Sequence, residues 1–152
     1  MTVRSFEPVD YNKKYESLLI PFLEKCLPES LRHLDINGRH NYYLDIERYF
    51  KGFWCMFDGN EIIGTVAISE LSSENCELKS LYLFERYQGR GYGRKLLLHA
   101  IKNAEDIGYK KMYLDSLSTS TNAIALYRKV GFVDTEKYNS SIYSDVFMVL
   151  EL

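Results

Sequence analysis

The residues with the clearest chemical potential lie in a glycine-rich segment at 88–93, which reads Gln-Gly-Arg-Gly-Tyr-Gly. The segment follows a strand-like run that ends near Phe84 and precedes a helix-like run that begins near Gly91. A glycine-rich turn at a helix start exposes backbone N–H groups without helical partners, and the aligned peptide dipoles add partial positive charge there. We therefore predict that this segment binds a phosphate group of a ligand.

The spacing of the glycines distinguishes three kinds of phosphate-binding loop. A P-loop requires Gly, four residues and then Gly-Lys-Ser/Thr, whereas Gly93 is followed by Arg94-Lys95-Leu96, which offers no hydroxyl for magnesium. A dinucleotide-binding loop requires G-x-G-x-x-G, and its third glycine would stand at position 94, which is an arginine. Asp115, at the end of the next strand-like run, could still serve as the ribose-binding acid of such a loop. The third pattern, Gln-x-x-Gly-x-Gly, fits the segment fully.

Two sequence blocks, about thirty residues apart, extend this third pattern. The first block contains Leu81-Tyr82-Leu83, the glycine-rich segment and Leu96-Leu97; the second contains Asn122, Ala125, Leu126-Tyr127 and Gly131-Phe132. In content, order and spacing, both blocks closely resemble the motifs of the GNAT superfamily of acetyl-CoA-dependent N-acetyltransferases. The resemblance spans most of the chain, and its specific motifs are confined to about 77–132.

The resemblance implies a binding cleft for acetyl-CoA, the acetyl-donating cosubstrate, between two parallel strands that splay apart, here 76–83 and Lys111–Ser116. Unpaired backbone groups on the first strand would bind the pantetheine amides, and the N–H groups of the glycine-rich segment would hold the pyrophosphate. Arg90 and Arg94 would bind phosphates or remain solvated, and Asn122 would bond the cofactor or cap the loop before its helix. The residues expected to bind acetyl-CoA are Leu81, Leu83, Gln88, Gly89, Arg90, Gly91, Tyr92, Gly93, Arg94 and Asn122.

Two side chains are expected to be catalytic, because an acceptor amine must lose a proton and the departing thiolate must gain one. Tyr127 stands where many family members carry the tyrosine that protonates the CoA sulfur; the alternative is a core tyrosine. Glu77 begins the cofactor-side strand and, by two-residue alternation, is expected to share a face with Leu81 and Leu83. A carboxylate there would take the amine proton through a water molecule, or would only form a salt bridge with Lys79.

The acceptor is expected to be a primary amine of a small molecule that attacks the thioester directly in a ternary complex. A peptide or protein amine is the alternative within the family, and a non-catalytic acyl-CoA sensor would use the same phosphate-binding loop. In this family the segment equivalent to 29–43 often covers the acceptor site. Cys26, Cys55 and Cys76 lie in no recognisable nucleophile setting, so an acyl-cysteine relay is not expected.

The elements that must position these residues indicate an α+β fold, with a mixed central sheet of six to seven strands and about four helices. Apolar spacing predicts a helix over 11–27, which Pro21 should kink or split, and a short helix over 43–50. Asp58-Gly59 predicts a hairpin between strands 53–57 and 62–69. The other predicted elements are strands 2–6, 76–83, Lys111–Ser116, 133–138 and 143–150, a helix from Gly91 to Gly108 and a helix at Thr121–Val130.

Length and composition limit the remaining possibilities. The 152 residues predict a single domain, 1–152, and the net charge of −2 gives no reason to expect a nucleic-acid or anionic-membrane partner. The sequence shows neither a membrane-length apolar run nor a signal-peptide core, so we expect a cytoplasmic protein. Its three cysteines lack metal-ligand spacing, and no metal is expected. An edge strand in the closing hairpin would allow a homodimer.

Overall fold

The computed structural model of the protein describes residues 6–152 and is built on one seven-stranded sheet. Its strands are β1 (Pro8–Asp10), β2 (Gly52–Asp58), β3 (Glu61–Glu70), β4 (Asn75–Leu83), β5 (Lys111–Ser116), β6 (Val133–Asp134) and β7 (Val146–Glu151). Their order across the sheet is β1-β2-β3-β4-β5-β7-β6. Within the described residues, β4 and β5 pair in parallel and all other neighbours are antiparallel. This mixed sheet confirms the predicted fold class.

Four α-helices of residues 6–152 flank the sheet: α1 (Glu16–Cys26), α2 (Ile46–Tyr49), α3 (Tyr92–Ile107) and α4 (Thr121–Val130). The apolar side of α3 is buried, as its helical spacing predicts, and the helix packs against β3 and β4. Short 3₁₀ turns cover Lys13–Tyr15, Leu27–Ser30, Asn41–Leu44 and Glu85–Tyr87. The predicted bounds of β5 and α4 are confirmed.

The end of α4 has the backbone pattern that a Gly-Phe pair directly after a helix predicts. Gly131 has φ of +120°, the Gly131 N–H donates to the Arg128 carbonyl (3.1 Å), and the Phe132 N–H donates to the Tyr127 carbonyl (3.0 Å). This is a Schellman motif, in which glycine takes the left-handed position without steric cost. The Phe132 ring then folds back against the Tyr127 ring, with 5.8 Å between their centroids. The motif thus fixes the helical turn that carries Tyr127.

Three predicted elements differ from the structure near the N-terminal half of the sheet. Residues 2–5 of the predicted first strand lie outside the described part of the chain, and the first described strand is β1. Pro21 does not split α1, which runs continuously from Glu16 to Cys26 with Pro21 on its exposed side. The helix predicted over 43–50 is divided into a 3₁₀ turn and the single turn of α2, because Asp45 has a non-helical φ of −146°.

The closing strands are shorter than predicted. β6 has two residues and β7 begins at Val146, so most of 135–145 is irregular. Side chains of this segment turn towards the sheet and bond to carboxylates on β4 and β5. These side-chain contacts replace the strand pairing that alternation predicts, and they remove the long edge strand on which the suggestion of a homodimer depended.

β4 and β5 pair only at their beginnings. Their register joins Asn75 to Lys111, Cys76 to Met112 and Glu77 to Tyr113, after which each strand continues without the other. β4 is bulged where it leaves β5: Ser80 has φ of +56°, and the register with β3 shifts between Thr65 and Ala67.

Two hydrogen bonds hold the bulge. The Thr65 hydroxyl donates to the Ser80 carbonyl (2.6 Å), and the buried Tyr43 hydroxyl bonds to the Ser80 hydroxyl (2.7 Å). A left-handed backbone conformation is costly for a residue with a Cβ, so it persists only where its surroundings fix it. The result is a sheet that opens between two adjacent parallel strands.

Candidate active site

A cleft of about 460 Å³ occupies the opening between β4 and β5. Its walls are β4 from Glu77 to Tyr82, the end of β5 with Leu117, the first turns of α4, and parts of the segments 31–43 and 143–144. Both predicted catalytic residues, Glu77 and Tyr127, line this cleft. The fold therefore brings together side chains that are fifty positions apart in the sequence.

Tyr127 presents a protonated hydroxyl to the cleft. The residue is 7% exposed, and its hydroxyl has no hydrogen-bond partner among the described residues. Burial raises the pKa of Tyr127 well above its usual value of 10, and the nearby Arg32 guanidinium partly opposes that rise. At neutral pH this side chain is therefore an available proton donor and not a base.

Glu77 is a buried carboxylate whose two oxygens are both engaged. It is 6% exposed; Oε1 accepts from Lys79 Nζ (3.1 Å), and Oε2 accepts from the Tyr138 hydroxyl and from the Asn139 amide (3.3 Å). Glu77 thus forms the predicted salt bridge with Lys79 and also lines the cleft, so the salt bridge does not exclude a role as a base. Any amine or water molecule that reaches this carboxylate must compete with these donors.

The expectation that Glu77 shares a face with Leu81 and Leu83 is wrong for Leu83. The bulge at Ser80 inserts one residue and reverses the alternation along β4. The end of the Leu83 side chain lies beside Leu96 of α3. A Cβ placed on Gly64 would be 3.0 Å from Leu83 Cδ1 and also 3.0 Å from Leu96 Cδ1, so these two methyl groups lie next to the same point. Tyr82 lies on the opposite face of β4 from Leu83, near Tyr43. Glu77 lies near the adjacent Tyr42, so Tyr82 and Glu77 share a face.

Asp115 is a second carboxylate of the cleft, and sequence reasoning assigned it no role in acetyl transfer. Its Oδ2 accepts from the Asn139 amide (2.5 Å), and its Oδ1 accepts from the Ser144 hydroxyl (2.7 Å). The Asn139 amide nitrogen therefore lies between Glu77 and Asp115 and donates to both. No spacing signal links these residues, because their contacts join positions 24 to 62 residues apart.

The segment 31–43 forms the wall opposite the strands and contacts the other side of the cleft at two points. Arg32 Nη2 donates to the Ser120 hydroxyl (3.4 Å), and the Arg39 guanidinium lies 3.8 Å from the centre of the Tyr143 ring. His33 also lines the cleft. These contacts could not be placed from the sequence, because the segment has no periodic pattern.

His40 also lines the cleft, as a neutral imidazole. Burial is the main reason that its pKa is lowered, and its Nδ1 accepts the Asp35 backbone N–H (2.9 Å). A neutral ring that accepts at Nδ1 carries its proton on Nε2. In this tautomer His40 can donate a hydrogen bond into the cleft and has no lone pair there to act as a base.

The glycine-rich segment leads from β4 into α3. Gly89 and Gly91 have φ of +80° and +87°, and a Cβ at either position would meet no atom within 4 Å. The Lys95 N–H bonds to the Gly91 carbonyl (3.1 Å), so the N–H groups of Gly93 and Arg94 precede the first turn of bonded helix. An open face with exposed donors fits a phosphate-bearing ligand.

The same segment adjoins the helix that carries Tyr127. A Cβ at Gly93 would lie 3.7 Å from Leu126 Cδ2 of α4. The Gln88 side chain folds back and donates from Nε2 to the Leu83 carbonyl (3.1 Å), so this carbonyl of β4 already has a donor. That contact leaves Leu81 as the better candidate for a free backbone group on the opened edge.

The other predicted cofactor residues lie on the surface around this segment. Arg90 and Arg94 are exposed, Tyr92 is half-buried as the first residue of α3, and Asn122 is exposed in the first turn of α4. Asn122 does not cap this helix, since the N-cap position belongs to Ser120 and carries no side-chain cap bond. Their roles in binding stay predictions.

Three further features concern metal, membrane and thiol chemistry in residues 6–152. No group of three or more His, Cys, Asp or Glu side chains there is arranged to hold a metal ion. None of the helices in this part of the chain combines the length and the apolar character that crossing a bilayer requires. Cys26, Cys55 and Cys76 are free and buried, and burial raises the pKa of each thiol to about 12.

The family model of the acetyltransferase (GNAT) family matches residues 14–132, which include the opened strands, the glycine-rich segment and Tyr127. Two curated relatives are an uncharacterized N-acetyltransferase of Escherichia coli K12, YjgM, and another of Schizosaccharomyces pombe, C1271.07c. The first is 34% identical over 83 residues, which is 53% of this chain and 50% of that protein. The second is 36% identical over 92 residues, 59% of this chain and 56% of that protein. The chain thus spans about half the length of the curated relatives it matches.

A solved structure gives the same fold over nearly the whole chain. The PaiA N-acetyltransferase of Thermoplasma acidophilum, solved in complex with coenzyme A, superimposes with a TM-score of 0.76 at 18% identity, and the match covers 98% of this chain and 100% of that one. The chain belongs to the GNAT family of acetyltransferases, as its two sequence blocks predict.

Proposed function

We propose that the protein is an acetyl-CoA-dependent N-acetyltransferase that acetylates a primary amine of a small molecule by direct attack in a ternary complex. The observation that carries this proposal is the cleft between β4 and β5, which contains a protonated tyrosine hydroxyl and a carboxylate. Proton removal from an amine and proton delivery to a thiolate need one group of each kind. Membership of the acetyltransferase family supports the assignment.

Acetyl-CoA, when bound, supplies an activated acetyl thioester. Its phosphates fit the open face of Gly89 and Gly91 and the first N–H groups of α3. The edge of β4 beyond Glu77, which has no strand partner on its β5 side, offers backbone groups such as those of Leu81 to the amides of the ligand. Gly93 lies beside Leu126, so this binding surface is close to the helix that carries Tyr127.

Two side chains of the cleft carry out the two proton transfers of the reaction. Tyr127 holds its proton at Oη, because burial raises the pKa of the phenol, and donates it to the departing sulfur. Glu77 accepts the amine proton at Oε2, directly or through water. The longest of the bonds to that oxygen, from Asn139 at 3.3 Å, is the one that gives way, since the same amide is also bonded to Asp115.

The enclosure of the cleft favours a small molecule over a peptide as the acceptor. Arg32 reaches Ser120, and Arg39 lies on the Tyr143 ring, so the segment 31–43 crosses the opening at two points. An extended peptide would have to displace both contacts, whereas a small amine fits in the volume of about 460 Å³.

The test is acetyl-CoA binding by calorimetry, followed by coenzyme A thiol release with pools of small amines and with peptides in parallel. We expect binding, and thiol release that depends on the small-amine pool and yields an acetylated amine by mass spectrometry. Release with peptides alone would reassign the acceptor to the peptide class. Binding without release from any pool would favour a sensor, and absence of binding would refute the proposal.

A further inference from the structure

We propose that the acceptor carries a carboxylate beside its amine, as an amino acid does, and that Arg39 binds this carboxylate at the mouth of the cleft. This inference rests on the proposed function and names the acceptor class of the same site. Its basis is the state of the Arg39 guanidinium: its face lies on the Tyr143 ring, and its N–H groups have no hydrogen-bond acceptor among the described residues.

The Tyr143 ring holds the guanidinium in position. The guanidinium carbon lies 3.8 Å from the ring centre, the distance of a close cation–π contact. A guanidinium carries five N–H donors, all in its own plane, so contact through its face leaves the whole fork available. The Asp35 carboxylate accepts the backbone N–H of Arg39 (3.2 Å), and no carboxylate among the described residues forms an ion pair with the side chain.

Arg39 lies where its side chain can contact a substrate bound in the cleft. Arg39 and Tyr143 both line the cleft, and both are exposed, which places the pair at its mouth. The charge of Arg39 lowers the pKa of Tyr42, and the charges of Glu77 and Asp115 act on the same phenol in the opposite direction. Arg39, Glu77 and Asp115 therefore all lie close enough to Tyr42 for their charges to act on its phenol.

The charges of the cleft are separated in a way that fits a zwitterion. Glu77 and Asp115 lie on adjacent strands at its floor, and Asn139 already places one donor nitrogen between them, where an ammonium group would be favourable. Of the other lysine and arginine side chains that line the cleft, Lys79 is paired with Glu77 and Arg32 donates to the Ser120 hydroxyl, whereas the side-chain N–H groups of Arg39 have no acceptor among the described residues and are available to an anionic group. An acceptor with several amines would place a second cation against Arg39, and like charges disfavour such binding.

The alternative is that Arg39 only ties two loops together. That function requires the face of the guanidinium and not its N–H donors, so the two explanations differ in their dependence on the acceptor's carboxylate. A test must therefore compare acceptors that differ in this group alone.

The experiment measures thiol release from acetyl-CoA with amino acids and with the amines that their decarboxylation would give, each pair sharing one side chain: lysine with cadaverine, tyrosine with tyramine, and so on across the set. A third pool contains polyamines and aminoglycosides. For the best amino acid, we expect kcat/KM to exceed that of its decarboxylated partner at least about fivefold, which corresponds to the upper end of the range for an exposed ion pair, about 1 kcal/mol.

Variants then assign the preference to Arg39. Arg39→Gln should reduce kcat/KM for the amino acid far more than for its decarboxylated partner and bring their ratio towards one. Arg39→Lys should keep part of the preference, since it retains the charge but not the fork. Arg48→Gln is the matched control: Arg48 also lies over a tyrosine ring, that of Tyr49 at 5.3 Å, but it does not line the cleft. This control should keep the wild-type ratio.

The outcomes separate this inference from the proposed function. Equal or faster release with decarboxylated amines, or release with the polyamine pool alone, would overturn the carboxylate proposal and leave the acetyltransferase standing. A ratio that Arg39→Gln leaves unchanged would overturn the role of Arg39. If acetyl-CoA binds and no pool gives release, both proposals fail.

Discussion

Tyr127→Phe is the substitution that most directly separates catalysis from packing in this cleft. The change removes one oxygen atom and keeps the ring that packs on Phe132. Since the hydroxyl has no hydrogen-bond partner among the described residues, its loss leaves no protein group unsatisfied. We therefore expect the free energy of unfolding to stay within about 0.5 kcal/mol of the wild type.

The effect on turnover should be much larger. A positioned general acid contributes about 10²–10⁴-fold to rate, which corresponds to about 2.7–5.4 kcal/mol of transition-state stabilisation. Because burial raises the pKa of Tyr127 above 10, the phenol stays protonated throughout the neutral range. The loss of kcat should therefore be nearly constant between pH 6 and pH 9.

The assay combines three measurements on the same preparation: kcat from thiol release, the Kd of acetyl-CoA by calorimetry, and thermal unfolding. Tyr109→Phe is the matched control, since Tyr109 is also buried (5% exposed) but donates to Glu70 (2.7 Å) and does not line the cleft. That variant should lose about 1–2 kcal/mol of stability, or roughly 2–8 °C in Tm, with an unchanged kcat.

The reasoning on Tyr127 fails if the two variants do not separate in this way. A Tyr127→Phe protein whose kcat is within about threefold of the wild type would make Tyr127 a core residue. A large loss of acetyl-CoA affinity with an unchanged kcat would instead make it a binding residue.

Three further changes test the loop, the carboxylate and the buried histidine. Gly91→Glu should abolish acetyl-CoA binding in calorimetry, because it adds bulk and negative charge where phosphates would lie, whereas Gly59→Glu, with a similar positive φ in open space, should bind normally. Glu77→Gln should lower kcat near pH 7 by about 10²-fold or more if this carboxylate accepts the amine proton. The free energy of unfolding should fall by up to about 1.4 kcal/mol per pH unit as the pH drops below 6.5, since burial lowers the pKa of His40 and the unfolded chain then binds a proton that the folded protein does not. Urea unfolding of His40→Gln should show a smaller fall.

Each of these expectations has a clear contrary result. Normal acetyl-CoA affinity in Gly91→Glu would remove the loop from the binding site. An unaltered pH–rate profile in Glu77→Gln would transfer proton removal to another group. A His40→Gln protein with the full acid sensitivity of the wild type would mean that other groups cause it.

Local sequence signals were enough to predict the parts of the fold that depend on local backbone chemistry. The Schellman ending at Gly131, the glycine stop at Gly108 and the hairpin at Asp58-Gly59 each follow from a residue type at a fixed offset. The expectation for Tyr127 came from the family resemblance and not from local signals; the structure places this residue in the wall of the cleft, and its catalytic role stays a prediction.

Alternation failed on β4 because it assumes one residue per pleat. The bulge at Ser80 depends on Tyr43, which lies 37 positions earlier, and on Thr65, whose hydroxyl bonds to the Ser80 carbonyl. No window of sequence around Ser80 contains either partner. The same limitation applies to Asp115 and Asn139, whose positions are defined by contacts between distant segments.

The carboxylates at the floor of the cleft connect its chemistry to the position of its outer loop. Tyr138, Asn139 and Ser144 anchor the segment 135–145 on Glu77 and Asp115, and the same segment then presents Tyr143 to Arg39. A change of charge at Glu77 or Asp115 should therefore alter the position of Tyr143 and Arg39 at the mouth of the cleft.

Glu77→Gln tests this connection as well as the role in proton transfer. Glutamine keeps one acceptor oxygen for Tyr138 and Asn139, but its amide NH₂ group would face the Lys79 ammonium. The ammonium has only N–H donors, so it cannot accept a hydrogen bond from that amide. Loss of the Glu77 charge should weaken binding of the ammonium group in both kinds of acceptor, so the informative quantity is the ratio of their KM values. If Glu77 has no influence on Arg39, that ratio should stay constant while kcat falls. If Glu77 also sets the position of Arg39 through the loop, KM for a carboxylate-bearing acceptor should rise more than KM for its decarboxylated partner.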